Sequence, residues 1–346
     1  MTQFDPNGVG FANGNIFGFP YTEEEANIVI VPIPWDATAS YGKGTADGPQ
    51  AILDASTQLD FYHANLDKAY ETKVYMAPIS EDWKKINDDC CERGKRYIHC
   101  LENEGEEVAI ARFGSDVQLI NEAHEALRAN LFERSVQLLV QGKIPAVLGG
   151  EHSTPLGLIQ ALDTVHEQFG ILQIDAHADL REQYEGFWQS HASIMDNVLK
   201  TCKNMNKLVQ VGIRDISERE VNYSAENDRV STYYDWNLKN EQYEGKRWSE
   251  QVDSIIAELP QKVYVSFDID GLKPELCPNT GTPVAGGFEL MEIRYLLNKL
   301  VESGREIIGF DLNEVAPGET GDWDANVGAR ALWEVVCFTE KSRRNK

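Results

Sequence analysis

Short apolar runs alternate with helix-forming segments along almost the whole chain of 346 residues. Most of these runs are continuously apolar, which is typical of strands that are buried on both faces of a parallel sheet. The predicted strands are residues 27–33, 72–78, 144–149, 170–175, 207–213, 229–234, 262–268 and 306–312. The alternation predicts a single domain over residues 1–346 with an α/β fold, a three-layer α/β/α sandwich around a mainly parallel sheet.

The segments between the strands show helical periodicity. The clearest helices are predicted over residues 48–62, 115–142, 291–303 and 324–338, with a polar outer helix over 81–107. Ser115 and Asp116 are predicted to cap the second of these helices and Gly142 to end it. Residues 1–25 are rich in Gly, Asn and Phe without periodicity. They are interpreted as an N-terminal arm, which would cover a site or contact another subunit, or as a loosely ordered tail.

Two of the predicted strands end in aspartate-rich segments. Asp175, His177 and Asp179 follow the run GILQI, and Asp268 and Asp270 follow KVYVSF. Alternate side chains of an extended strand point the same way. Ligands of open α/β sheets bind beyond the carboxyl ends of the strands. So many ligand groups in one place would repel one another without cations, and the spacing therefore predicts a pair of metal ions.

A third predicted strand, IPAVLG, ends at Gly149 and is followed by Gly150, Glu151, His152 and Ser153. Carboxylates and imidazoles without a thiolate suit hard divalent ions such as Mn²⁺ and disfavour a structural zinc site. Two neighbouring ions can lower the pKa of a shared water and present hydroxide to an electrophilic carbon. Aspartate is also common in ordinary turns, and His152 alone could be a packed core histidine. The three motifs together favour the metal site.

The composition restricts the classes of partner. A formal net charge of −24 disfavours nucleic acid and anionic membranes and fits either attraction of cations or a solvated acidic surface. The N-terminus has no basic segment followed by an apolar core, and no apolar stretch is long enough to span a bilayer. The six cysteines lack paired CxxC spacing, which predicts reduced thiols and a cytoplasmic protein.

Several motifs occur in an order that is known from one family. They are PWDATASYGKGTADGPQAILDAS, LGGEHS, DAHADL, SFDIDGLKP with TGTPVAGG, and NEVAP. With them the chain resembles the ureohydrolase family, which contains arginases and agmatinases, over nearly its whole length. The resemblance implies the arginase-like fold, two Mn²⁺ ions (Ni²⁺ or Co²⁺ as alternatives) and a homo-oligomer, either a trimer or a hexamer.

The resemblance also assigns residues to the site. The implied ligands are His152, Asp175, Asp179 and Asp268 for one ion and His177, Asp175, Asp268 and Asp270 for the other, so that Asp175 and Asp268 bridge. The implied nucleophile is a hydroxide between the ions, with Asp179 hydrogen-bonded to it and passing a proton to the departing amine. Glu314 would bind the substrate guanidinium. His191 matches a family histidine near the site mouth that moves protons and contacts substrate, although it could also be a surface-loop histidine.

The sequence departs from the family pattern mainly in residues that are expected at the rim of the pocket. Glu151 stands where relatives have Asp or Glu and is expected to orient His152. Lys273 and the segment 277–279 depart from the common pattern, and Cys277 is interpreted as a packed thiol. The loop 179–195 resembles agmatinases more than arginases. Within it, Phe187 and Trp188 would either close or line the pocket, or pack against a neighbouring loop or subunit.

These features predict an amidino hydrolase that releases urea from a guanidino compound. Agmatine, which would give putrescine, is the leading substrate, and free guanidine, 4-guanidinobutyrate and other guanidino compounds are alternatives. A pseudoenzyme that keeps the fold as a regulatory assembly is a rival of another class, and the complete ligand set argues against it. Single-zinc deacetylation is a second rival, and two histidine-bearing motifs with a paired DID favour two ions.

Overall fold

A computed structural model describes residues 4–345 and contains an eight-stranded sheet in the order β2-β1-β3-β8-β7-β4-β5-β6. All pairings between its strands are parallel. The strands are β1 Ile28–Ile33, β2 Val74–Met76, β3 Ile144–Gly149, β4 Phe169–Ile174, β5 Met205–Ile213, β6 Val230–Tyr234, β7 Lys262–Asp268 and β8 Glu306–Asn313. Each predicted strand is present, and the parallel α/β prediction is confirmed.

Helices cover both faces of the sheet. They are α1 Gly48–Ser56, α2 Glu81–Glu104, α3 Glu106–Val140, α4 Leu156–Val165, α5 Ile194–Thr201, α6 Glu218–Glu226, α7 Asp235–Tyr243, α8 Trp248–Ala257, α9 Leu290–Glu302 and α10 Trp323–Arg344. One large apolar cluster joins the sheet to α1, α8, α9 and α10, and another joins it to α2, α3, α4 and α5. The molecule is therefore the expected three-layer sandwich.

The strand order puts the functional motifs at the centre of the sheet. β3, β8, β7 and β4 are consecutive neighbours, although they are far apart in the sequence. After β3, the next strand in the sequence, β4, lies on the other side of β8 and β7. The direction of the strand order therefore reverses between β3 and β4. Such a switch point leaves a crevice beyond the carboxyl ends of the strands, where ligands bind in open α/β sheets.

Some predicted helix boundaries are wrong. α3 begins at Glu106 rather than near Ser115, because Gly105 with φ of +90° separates it from α2 and two glutamates occupy its first turn. Asp116 does not cap the helix but pairs with Arg93 of α2 at 2.7 Å. The predicted end is right, since Gly142 has φ of +72° just after α3.

The described part of the N-terminal segment packs on the α1–α10 side of the sheet. Phe17 and Phe19 are buried against Trp333 of α10, with ring centroids 5.0 and 5.9 Å apart. Phe61 joins the same cluster, and α1 ends at Ser56 rather than near residue 62. Residues 15–19 are therefore packed against the core while residues 7–14 are exposed, and none of residues 4–25 lines the cavity described below. Residues 1–3 of the predicted arm lie outside the described part.

The described chain has neither disulfides nor a spanning helix. All six cysteines are free thiols, as their spacing predicted. Within residues 4–345, no helix combines the length and apolarity needed to cross a membrane.

Candidate metal centre

Three carboxylates surround one nitrogen of His152. The nitrogen is Nδ1, which lies 2.9 Å from Asp175 Oδ2, 3.0 Å from Asp179 Oδ2 and 3.3 Å from Asp268 Oδ2. His152 follows β3, Asp175 and Asp179 follow β4, and Asp268 ends β7. The strand order thus brings three separate motifs to one point.

A second group forms around His177. Its Nδ1 lies 2.9 Å from Asp270 Oδ2 and 3.7 Å from Asp175 Oδ1. Asp175 therefore belongs to both groups, with Oδ2 toward His152 and Oδ1 toward His177. Asp268 offers Oδ2 to the first group, while its Oδ1 accepts a hydrogen bond from the backbone N–H of Asp270 at 2.8 Å. The structure brings all six predicted ligand residues together around the shared carboxylate of Asp175.

The chemistry of these side chains fits two divalent cations. Asp175, Asp179, Asp268 and Asp270 are almost completely buried. Asp270 Oδ2 and His152 Nδ1 make the close contacts given above but no hydrogen bond of good geometry, and cations at these points would compensate for the buried charge. Burial, followed by the charge of Asp175, raises the pKa of Asp179 to about 7. The ligand set is oxygen and imidazole nitrogen without thiolate, as hard divalent ions prefer.

The outer nitrogen of His152 is held by a buried pair that the sequence-based prediction missed. His152 Nε2 lies 2.8 Å from Ser266 Oγ, and Ser266 Oγ donates to Asp311 Oδ1 at 3.1 Å. Such a contact fixes the ring orientation and directs Nδ1 toward the acidic group. Glu151, expected to orient this ring, instead accepts hydrogen bonds from Thr38 Oγ1 at 2.5 Å and Ser153 Oγ at 2.7 Å. Its carboxylate holds the loop after β1.

Two functional residues adopt a strained backbone. Asp179 has φ of +55° and Glu314 has φ of +64°, a region that non-glycine residues rarely adopt. The tertiary structure holds Glu314, because its N–H donates to Gly150 O and its Oε1 accepts from the N–H of His152, both at 2.8 Å. Strain of this kind concentrates at functional sites.

Glu314 is a buried carboxylate that packs closely against Gly281 and does not line the cavity described below. Burial, followed by the charge of Glu151, raises its pKa well above the usual value. A Cβ on Gly281 would lie 2.8 Å from Glu314 Oε2, so only glycine leaves that oxygen uncrowded. The environment therefore disfavours an isolated negative charge and suits a cationic partner.

A cavity of about 270 Å³ opens beside the two groups of ligands. It is lined by Ser40, His177, Asp179, Arg181, Tyr184, His191, Ala192, Asp215, Ile216, Ser217, Glu220 and Thr282. The guanidinium carbon of Arg181 lies 4.6 Å from the centre of the Tyr184 ring, and Arg181 Nε lies 3.7 Å from Glu220 Oε2. The sequence-based prediction did not include Asp215, whose side chain is 70% exposed. In the described residues, its ion-pair partner is His177 alone, at 3.9 Å.

His191 lines this cavity, as a residue near the site mouth should. Its ring packs edge-on against Tyr184 with centroids 5.8 Å apart. Burial, together with the nearby His177 and Lys43, lowers the pKa of His191 to about 3, although a hydrogen bond to the Thr38 backbone opposes the shift. The imidazole is therefore neutral at pH 7.

Phe187 and Trp188 do not line the cavity. Phe187 is fully buried and packs edge-on against Tyr97 of α2, with centroids 5.9 Å apart. Trp188 is 57% exposed. The structure therefore supports the packing alternative for Phe187. Cys277 is buried, and burial raises the pKa of its thiol, as expected for a packed cysteine.

Comparisons with known proteins agree with this geometry. The model of the arginase family matches residues 26–337. The N(1)-aminopropylagmatine ureohydrolase of Thermus thermophilus is 31% identical over 90% of this chain and 89% of its own. The guanidinobutyrase of Pseudomonas aeruginosa is 29% identical over 92% of this chain and 88% of its own. The crystal structure of the agmatine ureohydrolase of Thermoplasma volcanium superposes with a TM-score of 0.72 at 22% identity, covering 97% of both chains.

Proposed function

The chain belongs to the arginase family and is a hydrolase of guanidino groups; from this premise we propose that it releases urea from agmatine or a closely related polyamine. The observation that carries the proposal is the pair of ligand groups sharing Asp175, with Glu314 beside His152. The proposed ligands are His152, Asp175, Asp179, Asp268, His177 and Asp270. When bound, two divalent ions would supply a water activated for attack on an electrophilic carbon.

The side chains around the ions have distinct proposed roles. Glu314 binds and orients the guanidinium, whose planar fork matches a carboxylate. Asp179, whose carboxylate is deprotonated as a metal ligand, accepts a proton from the attacking water and passes it to the departing amine. His191, neutral at pH 7, makes hydrogen bonds to the substrate at the cavity wall, and its lowered pKa argues against the proton-moving role that the family resemblance implies.

The charges at the cavity mouth support a substrate with a cationic tail. The positive charge of Arg181 is already balanced by Glu220, at 3.7 Å. Asp215 keeps an exposed carboxylate without a lysine or arginine partner in the described residues. A terminal amine, as in agmatine, would find a counter-charge there. A carboxylate tail, as in 4-guanidinobutyrate, would be repelled by Asp215. Arg181 would attract it only weakly, because its charge is already balanced by Glu220.

Two alternatives have less support. Free guanidine would need a cavity closed by Phe187 and Trp188, yet Phe187 is buried in the core and Trp188 is exposed. A pseudoenzyme would keep the fold without a working site, whereas all six proposed ligands and Glu314 are present. Similarity to the guanidinobutyrase of Pseudomonas aeruginosa keeps 4-guanidinobutyrate as the second candidate substrate.

Three further properties are part of the proposal. We propose Mn²⁺ as the metal, with Ni²⁺ or Co²⁺ able to occupy the same ligands. The chain would act as one domain in the cytoplasm, which the free thiols and the single sheet support. It would assemble as a trimer or hexamer, on the strength of the family resemblance.

Urea release from a substrate panel tests this proposal. Metal-stripped protein would be reconstituted separately with Mn²⁺, Ni²⁺, Co²⁺ and Zn²⁺. It would then be assayed on agmatine, N(1)-aminopropylagmatine, arginine, 4-guanidinobutyrate, 3-guanidinopropionate and free guanidine. We expect the highest kcat/KM with an amine-terminated substrate. A preference for 4-guanidinobutyrate or guanidine would overturn the proposed substrate, and two bound ions without turnover on any compound would favour the pseudoenzyme.

A further inference from the structure

A row of polar residues crosses the sheet one layer beneath the metal ligands. The register pairs Thr232 with Gln210, Gln210 with Gln173, Gln173 with Ser266, and Ser266 with Asp311. The row therefore spans β6, β5, β4, β7 and β8. Gln173, Gln210, Ser266 and Asp311 are completely buried among mainly apolar strand residues. Buried polar groups are costly unless they are hydrogen-bonded, so such a row calls for an explanation.

The three residues on β4, β5 and β6 form a continuous chain of hydrogen bonds. Thr232 Oγ1 donates to Gln210 Oε1 at 2.9 Å, and Gln210 Nε2 donates to Gln173 Oε1 at 2.7 Å. Gln173 Nε2 then donates to Asp175 Oδ2 at 2.8 Å. The chain ends on the carboxylate that both groups of metal ligands share.

The two amides also hold the backbone of the ligand-bearing turn. Gln173 Nε2 lies 3.3 Å from His177 O, and Gln210 Nε2 donates to Ala178 O at 2.6 Å. These two carbonyls belong to the two residues that precede Asp179. Asp179 itself has a strained backbone, with φ of +55°. A turn that ends in a strained residue needs external contacts to keep its shape.

The direction of each hydrogen bond fixes the orientation of both amides. Asp175 as a carboxylate can only accept, so Gln173 must present its NH₂ there and its oxygen to Gln210. Gln210 must then present its NH₂ to Gln173 and Ala178 O, which leaves its oxygen for the hydroxyl of Thr232. Turning either amide over would bring two oxygens face to face and leave buried groups unsatisfied.

We propose that Gln173, Gln210 and Thr232 are positioning residues that orient the shared carboxylate of Asp175 and the turn carrying His177 and Asp179, so that two ions bind as a pair. The proposal rests on the two-ion site of the proposed function. Of the two carboxylate oxygens of Asp175, Gln173 donates a hydrogen bond only to Oδ2. Oδ1 therefore stays directed to the His177 group. Ser266 and Asp311, in the other half of the row, act on His152 and hence on one group only.

The test is titration of metal-free full-length variants with Mn²⁺ alone, followed by calorimetry and by EPR of the Mn²⁺-loaded protein. Two Mn²⁺ ions that share a carboxylate are magnetically coupled, and their spectrum differs from that of an isolated ion. We expect Gln173→Leu to weaken Mn²⁺ binding about 10- to 100-fold and to remove the coupled signal. Gln210→Leu should act in the same direction. Thr232→Val should weaken binding about 2- to 5-fold, and Thr232→Ser, which keeps the hydroxyl, should restore it.

Gln251 on α8 offers a matched control. It is buried, accepts a hydrogen bond from Gln242 Nε2, and donates to Leu238 O and to Glu241 Oε2, each at 2.9 Å. Gln251→Leu therefore removes the same kinds of contact far from the ligands. It should lower thermal stability while leaving Mn²⁺ affinity and the coupled signal unchanged. Ser266→Ala is the comparison within the row, and it should weaken binding of one ion more than the other.

The outcomes separate the two proposals. If the wild type binds two Mn²⁺ ions and the variants at Gln210 and Thr232 bind them equally well, the positioning role is refuted and the proposed function stands. If the wild type does not bind a pair, both fail. If Gln173→Leu does not fold, Thr232→Val still tests the positioning role, because Thr232 lies two strands away from the ligands. Thr232→Ser keeps the hydroxyl group and should restore Mn²⁺ binding.

Discussion

The metal centre and the cavity mouth are adjacent, but they are built from different parts of the fold. The proposed ligands of the centre lie at or just after the ends of central strands, all but the half-buried His177 are buried, and a polar row fixed by strand register lies beneath them. The mouth is lined mainly by the segments after β4 and β5, where Arg181 and Asp215 are exposed and each makes one or two contacts. From this difference we expect that loss of any proposed ligand side chain strongly lowers activity. Loss of one exposed charge at the mouth should change substrate preference only slightly.

The largest effect is expected from Asp175→Ala, which removes the carboxylate common to both groups. Loss of metal-assisted stabilisation worth several kcal/mol corresponds to about a 1000-fold or greater loss of kcat/KM. Metal content by mass spectrometry should fall as well. Asp215→Ala is the matched control, since it removes a carboxylate at the mouth and should leave the metal content unchanged. Two retained ions in Asp175→Ala would refute the shared-ligand assignment.

Glu314→Gln should retain the metal and lose about 100-fold in kcat/KM, because a buried guanidinium would lose its counter-charge. The glutamine oxygen can still accept the hydrogen bond from the His152 N–H, so the fold should be preserved. Gly281→Ala gives an independent test, since its methyl group would crowd Oε2 at 2.8 Å. It should raise KM. Unchanged kinetics in both variants would remove Glu314 from the proposed binding site.

His191→Asn should lower kcat about 10-fold through a lost hydrogen bond at the cavity wall. Because the pKa of His191 is lowered to about 3, its imidazole stays neutral as the pH rises through the usual assay range. The shape of the pH–rate profile between about pH 6 and 8 should therefore not change. Disappearance of a limb near neutral pH would mean that His191 titrates there and carries a proton, as the family resemblance implies.

Asp215→Asn is expected to have the smallest effect. An exposed charge contributes less than about 1 kcal/mol, so KM for agmatine should rise by about 3- to 5-fold. The difference should shrink at high salt, where exposed charges are screened. KM for 4-guanidinobutyrate should be unchanged or fall. Equal increases for both substrates would show that Asp215 acts on the shape of the mouth and not through its charge.

Much of the proposed metal centre could be predicted because each ligand motif is visible within one short stretch of sequence. The six proposed ligands stand at or within a few residues of the end of an apolar strand, and all six lie together in the structure: His152, Asp175, His177, Asp179, Asp268 and Asp270. The bracing residues carry a weaker local signal. Gln173, Gln210 and Ser266 are polar residues inside apolar strands, which a search for buried polar positions could have detected. Their partners depend on register between strands that are distant in the sequence.

The remaining differences have physical causes that no single segment contains. Phe187 looks like a pocket residue in the sequence, but the tight turn over residues 184–187 buries it against Tyr97 of α2. Glu151 stands next to His152, but its carboxylate turns away to the loop that carries Thr38. The early start of α3 is set by the conformation of Gly105 between two packed helices.

The sequence by itself determined the parallel α/β sheet and placed the proposed metal ligands at strand ends, because periodicity and spacing along one strand are local properties. Only the tertiary structure decided which oxygen of Asp175 faces which group, which polar row braces it, and which charges remain unpaired at the mouth. Those features depend on strand order, register and burial, and each of these arises when distant segments pack together.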